Sequence, residues 1–246
     1  MKINITYIEH SGFLVEWENC YWLFDYYKGQ IPKLDSGKML MVCVSHSHAD
    51  HFNPEIFNLY KHPKMTYLIS SDMKLDEKAM NKYGAAEELS RMIKVVKPDM
   101  EYELYDGDDN KIIIKTLKST DKGVAFLIRY KDKTIYHAGD LNLWVWKEED
   151  KQFNNDMRAK FNKEMSKLKN QAIDVAFAPL DPRQEEWYGL GMDALIDTAK
   201  VRYVFPMHFW DKPEVIQKYR QESEAKLSAV KFMDINHGGQ SWSLEI

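Results

Sequence analysis

The chain has 246 residues, a formal net charge of −4, 44% hydrophobic and 29% charged residues, and two cysteines. That balance is an ordinary soluble globular protein's, and it offers no basic surface for nucleic acid, since lysines and arginines are interspersed with acids. No apolar run is long enough to span a bilayer, and the N-terminus lacks the apolar segment of a signal peptide. Cys20 and Cys43 sit in apolar strand-like runs, so we expect reduced core cysteines and a cytoplasmic protein.

Residues 2–26 hold three strand-like runs, Ile3–Ile8, Phe13–Trp17 and Tyr21–Tyr26, separated by turns at His10-Ser-Gly12 and Glu18-Asn19. They predict an antiparallel meander in which His10 is a turn residue. The apolar run Met39–Val44 predicts a buried strand, and it leads into Ser45-His-Ser-His-Ala-Asp-His51. His46, His48, Asp50 and His51 are four metal-ligand types within six residues, in a chain with eight histidines altogether. A buried strand delivers such side chains rigidly. Imidazole with carboxylate suits zinc, iron or manganese, and the lack of thiolate argues against a closed structural zinc site. His46 and His48, two apart in extended chain, point the same way and clamp one ion; Asp50 and His51, after the turn, face a second.

Asn53-Pro54 starts a helix running to Tyr60, with His62 solvated at its end. Tyr67–Ser70 is a strand, followed by a helix capped by Ser71 or Asp72 and ending near Tyr83-Gly84. Ile93–Val96, Glu101–Tyr105, Lys111–Leu117, Val124–Tyr130 and Thr134–His137 predict a second antiparallel sheet, which ends in the glycine turn carrying Asp140. His137, on that last strand, reads as a packed residue or one behind the metal ligands. Within 147–170, Phe153, Met157, Phe161, Met165 and Leu168 recur at helical spacing: a long helix packed on the sheet, a lid or a dimer contact. Asp174–Ala178 is a strand opening into the polar and aromatic loop 179–189; a helix from Met192, the strand Arg202–Pro206 ending at His208, a helix from Pro213, a strand near Lys231–Asp234 and a final strand follow. No linker or repeat interrupts the order, so residues 1–246 read as one α/β domain of four layers, two sheets between helices.

Asp140 and His208 each follow an apolar strand, as His46 does. The H-x-H-x-D-H run His46–His51, the Ala138-Gly-Asp140 turn and the strand-end His208 resemble the metallo-β-lactamase superfamily. The resemblance covers nearly the whole chain, including the opening meander and Asp25 at the end of its third strand. Within that superfamily the chain is similar to stand-alone hydrolases near the ascorbate-6-phosphate lactonase and phosphodiesterase-like groups. The resemblance implies an αββα sandwich of two mixed, mainly antiparallel sheets and two zinc ions, with manganese or iron as alternatives. It assigns His46 and His48 to the first metal, Asp50, His51 and His208 to the second and tighter one, and Asp140 to the bridge. The first site normally takes a third histidine from a loop that here reads Lys118-Ser-Thr-Asp-Lys-Gly123; Asp121, Thr120 or a water completes it.

The expected chemistry is hydrolysis of a small-molecule ester, lactone or phosphodiester by metal-activated water. Asp50 holds that water and helps move its proton, and His237, in the turn Asn236-His-Gly-Gly239, is the candidate acid for the leaving group. Trp144, Trp146, Trp187, Tyr188, Phe209 and Trp210 line a substrate wall or pack against the long helix, and Arg183 or Lys28 binds an anionic group. A nuclease is the enzymatic alternative, which the acidic balance disfavours. A non-catalytic metal-binding protein is the other, prompted by the missing histidine. A di-iron redox role would need a flavin partner, and no dinucleotide fingerprint is present.

Overall fold

The run Met39–Val44 forms a strand (β4) that is buried at every residue. Met39, Met41 and Cys43 face the core between two sheets, while Leu40, Val42 and Val44 face a separate cluster with Ile56, Phe57 and Leu89. Side chains alternate across a strand, so only a strand covered on both faces reads as an unbroken apolar run.

This computed structural model describes residues 1–75, 81 and 86–246. The first sheet holds β1 (Lys2–Glu9), β2 (Gly12–Glu16), β3 (Cys20–Phe24), β4, β5 (Met65–Ser70), β6 (Ile93–Val96) and β14 (Ser241–Glu245), in the order β14-β1-β2-β3-β4-β5-β6. The second holds β7 (Glu101–Tyr105), β8 (Lys111–Lys118), β9 (Val124–Tyr130), β10 (Lys133–His137), β11 (Ala172–Pro179), β12 (Lys200–Met207) and β13 (Lys231–Phe232), in the order β13-β12-β11-β10-β9-β8-β7. Strands joined by short turns pair antiparallel, as the meander β1-β2-β3 and the run β7-β8-β9-β10 do. From β3 to β6, and from β10 to β13, the pairs are parallel. Parallel pairing thus reaches further into each sheet than a mainly antiparallel mix, because those strands are linked by crossovers rather than hairpins.

A 3-10 helix (Pro54–Lys61) and α1 (Ala86–Met92) cover β5 on the outer face of the first sheet. On the second sheet, α3 (Leu190–Thr198) packs on β11 and β12 and supports α2 (Lys151–Ser166), with α4 (Glu214–Glu222) and α5 (Glu224–Leu227) nearby in sequence. The result is the expected αββα sandwich. Asn53 caps the 3-10 helix by accepting from the Glu55 amide at 2.9 Å, and Asp150 caps α2 by accepting from Phe153 at 2.7 Å. Met157, Phe161 and Met165 form the buried stripe of α2. The helix expected after Ser71 lies largely outside the described residues; its described start is a 3-10 turn, Ser71–Met73, ending in left-handed Lys74. His62 is not simply solvated, since its Nε2 donates to the Lys38 carbonyl at 2.7 Å. Cys20 and Cys43 are buried and unpaired. Among the described residues no helix is long and apolar enough to cross a membrane.

The chain leaves several strands through left-handed residues: His10 (φ 57°) after β1, Asp25 (φ 40°) after β3, Gly139 (φ 50°) after β10 and His208 (φ 62°) after β12. Such conformations favour glycine and are held in other residues only by surrounding structure, which is why they concentrate at functional sites. Gly123 (φ +67°) marks a close approach of backbone to backbone: a Cβ there would sit 1.9 Å from the Ser45 carbonyl oxygen, which accepts from the Val124 amide at 2.9 Å. We therefore expect Gly123→Ala to cost about 3 kcal/mol or more through backbone strain and collision. The measurement is the urea-unfolding midpoint; an unshifted midpoint would show that this loop is free to leave β4.

Candidate metal centre

Asp140 sits between two pairs of imidazoles. Its Oδ2 lies 3.2 Å from His46 Nε2 and 4.0 Å from His48 Nδ1, while its Oδ1 lies 3.1 Å from His51 Nε2 and 3.4 Å from His208 Nε2. Asp50 Oδ2 is 3.6 Å from His208 Nε2. The six side chains named from the sequence thus converge, brought from β4 and its loop, from the turn after β10, and from the end of β12. A tight turn makes this possible on the β4 side, with the amides of His51 and Phe52 both donating to the His48 carbonyl.

The far nitrogens of these rings are fixed by groups behind them. His51 Nδ1 pairs with Asp25 Oδ2 at 2.8 Å, and His208 Nδ1 pairs with Asp181 Oδ2 at 2.9 Å. His46 Nδ1 lies 2.9 Å from Ser45 Oγ, whose hydroxyl donates to Asp25 at 2.6 Å. Each of those Nδ1 atoms therefore carries a proton, and in the neutral ring each Nε2 presents a lone pair to the centre. Burial, the largest influence, works against charge on His51, yet the Asp140 and Asp25 carboxylates outweigh it and raise its pKa. Burial likewise opposes ionised Asp140, but His51 and His208 hold it well below the usual carboxylate range.

The residues present fit a metal ion. Nε2 of His10, His46, His51 and His208 and Oδ1 of Asp140 are buried without an aligned hydrogen-bond partner among the described residues. Each such orphan costs about 1–3 kcal/mol, and lone pairs of nitrogen and carboxylate oxygen facing one another call for a shared cation.

His10 departs from expectation. Rather than serving as a plain turn residue it is 3% exposed, with Nε2 at 3.3 Å from Asp50 Oδ2 and its ring 4.3 Å from that of His208. Burial pushes its pKa down to about 4. Its position in a Ser-Gly hairpin hid it; the available signal was a histidine directly at a strand end. Asp181 was missed too, inside what read as a polar loop. His137 is packed as expected, stacked on Phe24 at 4.8 Å, with Nε2 donating to the Ser11 carbonyl.

The loop in place of the usual histidine brings Asp121 Oδ2 to 3.4 Å from His48 Nδ1. Thr120 lines the cavity that opens here, but its hydroxyl is engaged, donating to the Asn142 carbonyl at 2.5 Å and tying this loop to the one after Asp140. The cavity, about 310 Å³, is walled by the polar side chains of His48, Asp50, Asp121, Asp140, His208 and Arg183 and by the apolar ones of Trp144, Trp146, Phe153 and Met157. Arg183 is pinned by Asp181, with Nε at 3.0 Å, and lies over the Trp210 ring at 4.7 Å. Lys28 instead lies over Tyr27, Phe209 stacks on Tyr7 at 5.6 Å, and Tyr188 bonds Glu222, so these three are not part of the wall. Trp187 packs on the core.

His237 stands on an exposed turn, with Nδ1 at 2.9 Å from the Gly238 carbonyl oxygen. That turn is held to β1 by the Gly239 amide, which donates to the Tyr7 carbonyl at 2.8 Å. His237 is not among the cavity-lining residues, so the geometry lends no support to the proton-donor role expected for it.

The profile of a family described as beta-lactamase superfamily domain matches residues 4–208. No curated protein matches the sequence. Among solved structures, the chain is similar to Igni18, a metallo hydrolase from the archaeon Ignicoccus hospitalis, with 17% identity, all of both chains covered and a TM-score of 0.61. It is similar to the metallo-beta-lactamase fold protein YhfI from Bacillus subtilis, with 16% identity, 98% and 99% of the two chains covered and a TM-score of 0.59. CmlA, a diiron beta-hydroxylase from Streptomyces venezuelae, aligns with 11% identity over 99% of this chain and 54% of its own, with a TM-score of 0.59.

Asp181 joins the inward-facing histidine His208 to the cavity cation Arg183. Asp181→Asn is expected to weaken metal binding by about 10- to 100-fold by loosening the His208 ring. Competition against a chromophoric chelator measures it, and an unchanged affinity would make Asp181 a partner of Arg183 alone.

Proposed function

Because the chain belongs to the beta-lactamase superfamily and has the metallo-β-lactamase fold, we propose that it is a metal-dependent hydrolase with two metal positions that share Asp140. The carrying observation is that the two oxygens of Asp140 face separate imidazole pairs whose inward nitrogens have no aligned partner. In this reading His46, His48 and Asp121 hold the first ion, and Asp50, His51 and His208 the second. Zinc suits the imidazole and carboxylate set, with manganese and iron as alternatives. When bound, the ions act as Lewis acids and lower the pKa of water toward neutrality.

The chain's own residues do the rest. Asp50 lies on the cavity wall, and its carboxylate is kept ionised: burial alone would raise its pKa, but the neighbouring imidazoles of His10, His51 and His208 lower it. It can hold an attacking water by accepting its proton in a hydrogen bond. Arg183 offers a fixed guanidinium to an anionic group, and Trp144, Trp146, Phe153 and Met157 offer apolar surface. These features favour a small ester, lactone or phosphodiester bearing a negative charge and an apolar part. Arg183 is the one cationic side chain among the cavity-lining residues, which disfavours the nuclease alternative, since a nucleic-acid track needs several.

The test combines metal analysis with turnover of chromogenic phosphodiesters, esters and lactones. We expect metal-loaded protein to hydrolyse one class and to lose that activity to chelators, His51→Ala or His208→Ala to lose tight metal binding, and His237→Ala to keep turnover within about twofold. A protein that takes up no divalent metal in equilibrium dialysis would sink the proposal. A bound metal with no turnover on any class would favour a non-catalytic role.

A further inference from the structure

We propose that His10 is a further ligand of the second metal, which gives that ion more protein ligands than the first. The inference rests on the metal-binding reading above and extends it to a residue outside the His46–His51 cluster.

Four observations carry it. One donor atom from each of His10, Asp50, His51 and His208 lies within 4.8 Å of all the others. Two bonds of about 2.1 Å on opposite sides of an ion span little less than that. Second, His10 Nε2 is buried without an aligned partner, although Asp50 Oδ2 is 3.3 Å away. A histidine kept for packing alone would not leave a dry nitrogen among ligand atoms. Third, the ring has little freedom: Trp210 meets it edge-on at 4.6 Å and Tyr27 at 6.2 Å. Fourth, both backbone groups are engaged in a left-handed conformation (φ 57°): its amide donates to the Tyr7 hydroxyl at 2.7 Å, and its carbonyl accepts from His208 at 3.2 Å. His10 and His208 are therefore positioned as a unit.

Exposure differs between the two half-sites. In the second, His10, His51 and His208 are at most 3% exposed and Asp50 is 23% exposed; in the first, His46 is buried, His48 is 35% and Asp121 43% exposed. Both half-sites border the cavity, the first through His48 and Asp121 and the second through Asp50 and His208, and His10 adds a buried ligand to the second.

The test compares wild type with His10→Asn, since asparagine tolerates the left-handed backbone. Cobalt(II) is the probe. If His10 ligates, the variant binds its tighter cobalt equivalent up to about 100-fold more weakly, and the visible absorption of that equivalent changes with the loss of an imidazole. Reduced affinity with an unchanged spectrum would show that His10 only positions Asp50, and unchanged affinity would show that it only packs; either overturns the proposal. Should the variant fail to fold, crystals of the wild-type chain grown with zinc decide the matter: the anomalous peak lies about 2.1 Å from His10 Nε2 if it ligates. A peak near His51 and His208 but beyond 3 Å from His10 overturns this inference alone, while no peak at all overturns the metal-binding reading beneath it.

Discussion

Asp25 carries a negative charge at a position with no access to water, and it is tolerated because every face of its carboxylate is used. Oδ1 accepts from the Ser45 amide at 2.7 Å, and Oδ2 accepts from the Ser45 hydroxyl and His51 Nδ1 at 2.6 and 2.8 Å. Burial would raise its pKa, and the His51 hydrogen bond with nearby His137 reverses that. An unpaired charge so placed would be strongly destabilising, so the partners and the carboxylate require one another. Through these bonds one group just after β3 sets His51 directly and His46 through Ser45. The ring planes, the protonation of Nδ1 and the inward lone pairs all descend from it.

The second sheet repeats the device with different residues. Asp181, just after β11, holds His208 and Arg183 together, and the same hydrogen bonds lower its pKa against the effect of burial. The loops between these anchors are stapled by amides: Asn142 donates to Gln184 at 2.9 Å, and Gln184 donates to the Leu143 carbonyl at 2.7 Å. Trp144, held by its indole N–H on the Asp140 carbonyl at 2.9 Å, is therefore a rigid part of the cavity wall. Neither buried anchor lines the cavity, and both decide what it presents.

How much of this was legible in the sequence follows from the range of each signal. His46, His48, Asp50 and His51 declare themselves because they are neighbours in the chain. Asp140 and His208 do so because each ends an apolar strand. The sandwich was legible from strand runs and turns, while the extent of parallel pairing was not, since pairing partners are set by crossovers. His10 and Asp181 were misread because each occupies a stretch with strong turn chemistry of its own, Ser-Gly and Pro-Arg, and only tertiary contact reveals a second task. His237 is the converse case: its turn is fastened to β1 by the Gly239 amide, and it is not among the described residues lining the cavity. Asp121 lay between these cases, since a carboxylate in the right loop gains meaning only from the 3.4 Å to His48.

His46, His48 and His51 hang from the first sheet, and Asp140 and His208 from the second. Their meeting place is thus also the seam of the sandwich, where two separately hydrogen-bonded sheets are joined by side chains and by the backbone bonds of Val124 to Ser45 and His208 to His10. On the proposed function, a cation shared across that seam would act as a cross-link between the layers. Its binding energy would add to the stability of the folded chain by mass action. Its removal would leave buried imidazoles and a carboxylate facing one another, and the two layers would part at this edge first.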